Sequence, residues 1–352
     1  MKHSLLFILL FGLPALGQNR FNPDISANFL GLYERGTGVS DDRTQSPHNG
    51  FALQEAELQM LSDVDPYLRA SVLLSISQQK NSADYGIDPE EVFLETTSLP
   101  YVTIRGGKFK MALGKHNQLH THAFPFIDAP LINQLILGDE GLNESGVSAN
   151  VLLPVDWYSE VTAQAFSLTS EDLYGSGNSG NVGGLLHLKN LFDLTDDLTM
   201  EIGLSGTMGK NSLAQTSSVL GADLTFKWRP AIGGKYHALI WQTEYLNADR
   251  PGQIDATTHL SQAIVSGAAS WLQYQFAERW WVQARQEYVG LTKSVGVPSE
   301  NKTSFLLGFF PSEFSGFRVQ YDFENLQGRG KMDQTVALQY NISIGAHPAH
   351  AY

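Results

Sequence analysis

Three histidines fall within seven residues, His116, His120 and His122, in the stretch LGKHNQLHTHAFPFIDAPLINQLILGDE that spans residues 113–140. Neutral imidazole is a ligand for zinc, copper or nickel. His120 and His122 share a side if the segment is extended, and His116 and His120 share one if it is helical. Asp128 or Asp139 could complete such a set, so a divalent metal at His120 and His122 is one reading, with no other cofactor called for. The competing reading makes His116, His120, His122, Asp128, Asp139 and Glu140 the polar rim of a narrow aqueous passage, where their field would select among solutes. The tail pair His347 and His350 flanks Pro348 and reads as a solvated segment.

Other chemistries are excluded more firmly. The chain of 352 residues has no cysteine, which removes disulfides, thiolate zinc and a cysteine nucleophile. A net charge of −13 argues against nucleic acid as a partner. There is no GxSxG, HExxH or phosphate-loop motif, and no spacing pairs a serine with a histidine base. The reading is of a protein that is not an enzyme.

The elements that must position these residues are strands. Leu68, Ala70, Val72, Leu74 and Ile76 alternate with Arg69, Ser71, Ser75 and Ser77. The same period of two runs through Met200–Met208, Leu220–Trp228, Phe317–Phe323 and Val336–Ile344. Each such strand has one apolar and one wet face. Short turns fall at 63–66, 99–100, 154–156, 191–197, 229–235, 277–279 and 311–314. Longer polar or glycine-rich stretches lie between them, at about 34–50, 80–90, 112–144, 168–181, 209–217, 247–262, 291–303 and 324–332. Seven turns and eight loops predict sixteen strands. Short and long connections in alternation are the rhythm of a closed antiparallel transmembrane β-barrel, all-β, with both termini on the periplasmic side.

Export fits this. Met1-Lys2-His3 is a basic start, Leu5–Leu13 an apolar run, and Ala15-Leu16-Gly17 a peptidase site, which predicts a signal peptide over 1–17 cut before Gln18. The barrel is then expected over 18–345 and a periplasmic tail over 346–352, in the outer membrane of a Gram-negative cell. Trp157, Trp228, Trp241, Phe276, Trp280, Trp281, Phe310 and Phe317 lie near strand ends, where aromatic girdles belong. The membrane lipid and lipopolysaccharide are the expected surroundings. Divalent cations bridging lipopolysaccharide could bind outer-loop acids such as Asp41, Asp42, Asp84, Asp88, Glu90 and Glu171.

Alternation also picks out the expected pore lining: Glu55, Glu57, Arg69, Arg105, Asp223, Lys227, Arg285, Glu287, Arg318 and Asp322, with Glu95, Glu160 and Glu244 on the same faces. Both signs are present, which suggests a transverse field for small hydrophilic solutes rather than a ladder of one sign. The third long loop, 112–144, is too apolar for an exposed loop. Leu131–Leu137 reads as a short helix started by Pro130 and stopped by Gly138. Such a loop could fold into the barrel and narrow it, or pack over the mouth or against a neighbouring subunit.

Several segments resemble a known family. They are Phe21-Asn22-Pro23-Asp24-Ile25-Ser26, the strand end Gly106-Gly107-Lys108-Phe109-Lys110, His116–His122 with Phe126-Ile127-Asp128-Ala129-Pro130-Leu131, and the closing Gly345-Ala346-His347-Pro348-Ala349-His350. Together they are similar to porin-like outer-membrane barrels related to the phosphate-selective porins, often labelled zinc-regulated or TonB-dependent outer-membrane proteins. The resemblance implies a general or anion-leaning porin able to form a homotrimer. Its alternative is an outer-membrane zinc-linked uptake or binding receptor. The 335 residues after the leader cannot hold both a plug and 22 strands, so that receptor would lack a plug domain. The strand end continues as Met111-Ala112-Leu113-Gly114, where the phosphate-porin pattern has proline-phenylalanine-glycine.

Overall fold

In the computed structural model, the described residues are 23–37, 50–78, 84–175, 180–252, 263–295, 299–326 and 332–345. The leader, the tail and the loop acids Asp41 and Asp42 lie outside them. Sixteen strands follow one another: β1 (Asp24–Gly36), β2 (Gly50–Asp63), β3 (Leu68–Gln78), β4 (Tyr85–Thr96), β5 (Val102–Lys110), β6 (Asn143–Leu152), β7 (Tyr158–Ser167) and β8 (Val182–Thr195). The second half holds β9 (Leu198–Lys210), β10 (Thr216–Trp228), β11 (Ala238–Asp249), β12 (Ile264–Ala277), β13 (Trp280–Lys293), β14 (Glu300–Ser312), β15 (Ser315–Leu326) and β16 (Asp333–Gly345). Every strand pairs antiparallel with its sequence neighbour, and β1 pairs with β16, so the sheet is a closed barrel.

Closure leaves no unpaired edge, which is what a sheet in hydrocarbon requires. The seam runs from Ser26 opposite Gly345 to Gly36 opposite Thr335. At its end Gly345 has φ +93°, and a Cβ there would come within 2.2 Å of the Ile25 carbonyl. Only glycine fits that corner.

The period of two decides which residues face out. Leu186, Leu204, Leu220, Leu307 and Val319 are exposed on the outer face. Ser217, Asp223, Gln242, Glu244, Ser304 and Gln320 are buried on the inner one. This inverts the arrangement of a sandwich, where the apolar face is the hidden one. Of the eight aromatics expected at strand ends, Trp241, Phe276, Trp280 and Phe317 are exposed on the outer face at the short-turn end. There Phe226 stacks on Trp241 at 5.6 Å and Phe317 on Tyr340 at 4.3 Å. Trp281 and Phe310 are exceptions, because their parity matches the inward Gln283 and Gly308. A second ring of Tyr33, Phe51, Tyr85 and Tyr288 lies toward the long-loop end.

The packed core sits inside the barrel. The segment after β5 turns inward through two 3₁₀ turns, His116–Gln118 and Thr121–Ala123, and the helix α1 (Leu131–Leu137). The helix begins after Pro130 and ends at Gly138, whose φ is +76°, as the proline and glycine predict. Met111, Leu113, Leu131, Ile132, Ile136 and Leu137 pack against Phe166, Leu185, Val219, Leu246, Val265 and Val289 of the wall. Phe126 and Ile127 form a second cluster with Leu32, Trp271 and Leu306. The loop after β7 joins them: its single turn α2 (Glu171–Tyr174) buries Leu173 and Tyr174 in the first cluster.

Candidate functional site

The inward loop enters at Gly114. A Cβ there would lie 2.6 Å from Glu244 Oε1, and φ is +66°, so the chain can pass against the wall only without a side chain. Gly114 N–H donates to Ser205 Oγ at 2.9 Å, while Lys115 and His116 N–H both donate to Glu244 Oε2, at 3.2 and 2.9 Å. Glu244 Oε1 takes the Asn133 amide at 3.1 Å, and the Leu131 N–H at the head of α1 donates to Glu287 at 2.6 Å. Wall carboxylates thus accept the loop N–H groups that no strand can pair.

On the β13–β15 side the wall is basic and the loop supplies the acid. Arg285 Nη2 lies 2.8 Å from both Asp128 oxygens and its Nη1 donates to the Asp128 carbonyl at 3.0 Å. Lys302 Nζ is 2.7 Å from Asp128 Oδ2, and Gln320 donates to Oδ1 at 2.5 Å. Arg285 also lies 2.8 Å from Glu287 and over the Phe126 ring at 4.4 Å. Arg318 donates to the Phe124 carbonyl at 2.6 Å. Burial alone would raise the Asp128 pKa, but Arg285 and Lys302 outweigh it and hold the carboxyl well below the ordinary range.

On the β2–β4 side the roles reverse. The His120 ring reaches Glu90 at 3.1 Å through Nδ1 and Glu91 at 3.3 Å through Nε2. Lys110 holds Glu90 at 2.9 Å, and His122 sits against Glu57. The rings of His120 and His122 are parallel, 6.0 Å apart. Burial would lower the His120 pKa, but its bonds to the two glutamates raise it to about 10. His122 is pushed down to about 3, first by burial and then by the charge on His120. The two glutamates point inward together because Pro89 cannot donate to the ladder. The register shifts there, with Leu73 opposite Glu91 and Leu74 opposite Pro89, so Glu90 is an extra residue in a bulge.

The structure therefore divides the expected constriction residues. His120 and His122 come together, and both nitrogens of His120 face carboxylates. His116 stands apart in the first 3₁₀ turn, against Phe124 at 4.4 Å, with neither ring nitrogen hydrogen-bonded. Burial, with Arg285 and then Lys110 nearby, pushes it down to about 3. Asp128 joins the basic side. Asp139 and Glu140 are exposed in the turn after α1. Glu90 is corrected outright: it is 2% exposed and inside the barrel, not an outer-loop acid facing lipopolysaccharide.

Of the expected lining, Glu55, Glu57, Asp223, Arg285, Glu287, Arg318 and Asp322 are buried on the inner face. Arg69 and Arg105 lie toward the short turns, in pairs with Asp63 at 2.9 Å and Glu95 at 3.0 Å. Lys227 continues the inward parity of Asp223. A cavity of about 160 Å³ remains between the loop and the β8–β10 wall, lined by Lys115, Gln118, His120, His187, Lys189, Glu201 and Asp223 among others. Lys115 and Lys189 reach Glu201 from either side at 2.9 and 3.5 Å.

Lys302, Gln320, Glu91 and Arg250 were not among the expected site residues. Lys302 could have been found from the parity of Ser304 and Leu306, which puts it on the inner face. Arg250 follows β11 and donates to the Leu135 and Asp172 carbonyls at 3.1 and 2.9 Å, joining the two inward turns. Nothing in its local sequence marks it.

Solved structures share this architecture. The outer membrane channel DcaP of Acinetobacter baumannii superposes with a TM-score of 0.62 at 11% identity, over 93% of this chain and 99% of that one. OprB of Pseudomonas putida gives 0.62 at 7%, over 92% and 94%. The chain has the fold of the outer-membrane porins. An anion-selective porin from Comamonas acidovorans gives 0.56 at 11%, over 92% and 98%. In sequence, an uncharacterised protein of Aquifex aeolicus is 26% identical over 380 aligned positions, covering 96% of this chain and 77% of that one. No family model matches the chain.

Proposed function

We propose that the protein is an outer-membrane porin-like channel for passive diffusion of small hydrophilic solutes or ions, narrowed by the inward loop. One observation carries this reading. A closed barrel of sixteen strands with a polar inner face is crossed by a loop bonded to the wall from β2 through β15. A barrel of this strand number is too wide for wall side chains alone to fill, and so carries water. The loop then sets the free cross-section, and the space beside Lys115, Lys189, Glu201 and Asp223 is the route left open. Lysines and carboxylates facing one another there give a transverse field. The channels and porins whose fold the chain shares support the assignment, as does the leader expected over 1–17.

Single-channel recording in planar bilayers tests it. The folded barrel should show steady ohmic conductance. Deleting residues 116–136 should raise that conductance severalfold. Unchanged conductance would remove the loop as the constriction. A silent wild type that binds zinc would point instead to a receptor.

A further inference from the structure

Behind the histidine turn of the inward loop, three glutamates from two strands meet away from solvent. Glu55 and Glu57 come from β2 and Glu90 from the β4 bulge, and they are 6%, 2% and 2% exposed. One carboxylate oxygen from each can be chosen so that all three lie within 4.8 Å of one another. We propose that Glu55, Glu57 and Glu90 bind one divalent cation of the calcium class.

Acidic clusters alone do not make a site, and here a second observation points to a ligand. Glu57 Oε2 accepts the Asn28 amide at 3.2 Å and faces His122, while Glu57 Oε1 is buried without a hydrogen-bond partner. Glu90 Oε1 takes Lys110 and His120, and Glu90 Oε2 is likewise buried and unpartnered. Each of these carboxylates spends one oxygen on its neighbours and keeps the other spare. Glu55 is fixed by the Ser75 hydroxyl, which donates to its Oε1 at 2.5 Å. A buried carboxylate oxygen with no donor is costly unless a cation faces it.

The charge balance agrees. Glu55, Glu57, Glu90 and Glu91 are four acids; the charged bases bonded to them are Lys110 and His120, while His122, against Glu57, is kept neutral by burial and by the charge on His120. Two negative charges remain, which one divalent ion neutralises. Carboxylate oxygens are hard donors, suited to calcium or magnesium. Opposed calcium–oxygen bonds of about 2.3–2.6 Å place two oxygens about 4.6–5.2 Å apart, whereas magnesium needs about 4.0–4.2 Å. A spread within 4.8 Å accommodates the larger ion without drawing the strands together. Bound there, the ion would tie β2 to β4 across β3 and fix the wall on which His120 and His122 rest. This site does not depend on whether solutes pass through the barrel.

The test uses the full-length barrel, folded in detergent and stripped with a chelator, its residual metal measured by elemental analysis. Calorimetric titration with calcium chloride should give one site per chain at sub-millimolar concentration. Glu57→Gln and Glu90→Gln should each weaken it about tenfold or more, and Asp63→Asn at the rim should leave it unchanged. The shift in gel mobility on heating reports whether each variant folds, and the wild-type titration decides even if a variant does not. Absence of binding by the stripped wild type at neutral pH would overturn the proposal, because the carboxylates would then share protons instead. Variants that bind as the wild type does would overturn it too, by placing the ion on surface acids. Zinc or magnesium binding tighter than calcium would overturn the calcium-class assignment.

Discussion

The inward loop is held at two places by opposite arrangements. On the β13–β15 side one loop acid, Asp128, is gripped by Arg285 and Lys302 from the wall. On the β2–β4 side two loop histidines meet a wall of four glutamates. The first anchor is compact and charge-matched, with Arg285, Lys302 and Gln320 all converging on Asp128. The second has more wall charge than its partners balance. The difference teaches that a lumen of mixed sign is not a uniform lining. It is two local fields, and one excursion of chain is complementary to both.

The sharpest way to break this comparison is Asp128→Ala. It takes from buried Arg285 and Lys302 the carboxylate they share, leaving only Glu287 beside the one and Asp322 at 3.9 Å from the other, and should weaken docking of the loop by about 3 kcal/mol, the low end for breaking a buried pair. Proteolysis between residues 116 and 136 in the otherwise intact barrel should show it, together with a rise in conductance. Equal protection of variant and wild type would mean that the apolar contacts suffice.

Acid should act next. His116 is buried and neutral, faced by Arg285 from β13, Lys110 from β5, Asp128 of the loop and the Glu244 carboxylate of β11 that takes its N–H. Its pKa is about 3 in the folded state against an ordinary 6.5, so the unfolded or undocked chain binds the proton more readily. Its contribution is complete above pH 6.5 and is lost as the pH falls toward 3, at about 1.4 kcal/mol per unit. Asp128 is depressed, so its contribution is lost only below the ordinary carboxylate range. Between pH 6.5 and 4.5, His116→Gln should therefore loosen less than the wild type in hydrogen exchange of the loop, while Asp128→Ala should loosen as much.

His120→Gln loses one of two charge-assisted bonds, since the glutamine amide can still donate to one glutamate, and should cost about 1.5 kcal/mol, the low end for a single such bond because Lys110 still holds Glu90. Noisier open-channel current at unchanged mean conductance is the expected sign. The smallest effect belongs to the exposed pair of Arg69 and Asp63, whose side chains are 41% and 64% accessible. Arg69→Ala should change the melting of the barrel by less than about 1 kcal/mol.

The sequence made the wall legible and the loop only partly so. Six of the seven short turns fall where strands end in the structure, and the seventh, 191–197, starts too early because β8 runs on to Thr195; strand faces follow a period of two that lipid outside and water inside enforce at every residue. The helix at Leu131–Leu137 was visible for the same local reason, a proline before it and a glycine after it. Contacts across the lumen carry no such period. Asp128 lies 157 residues from Arg285 and 174 from Lys302, and nothing in its neighbourhood chooses these over any other base. Read from sequence, Glu90 falls in the polar 80–90 stretch and so among the outer-loop acids, whereas the bulge at Pro89 turns it inward. The inward α2 turn was also missed, since a run of four residues with one leucine and one tyrosine reads as an ordinary loop.

A thin-walled cylinder under sideways load yields by flattening, and its hoop of backbone bonds resists stretching far better than it resists that change of shape. The segment from Gly114 to Leu137 is tied to opposite arcs of the circumference through Glu90 on one flank and Arg285 on the other. It therefore works as a strut across the bore. A bilayer squeezing the molecule must compress folded, packed chain before it can make the circle oval.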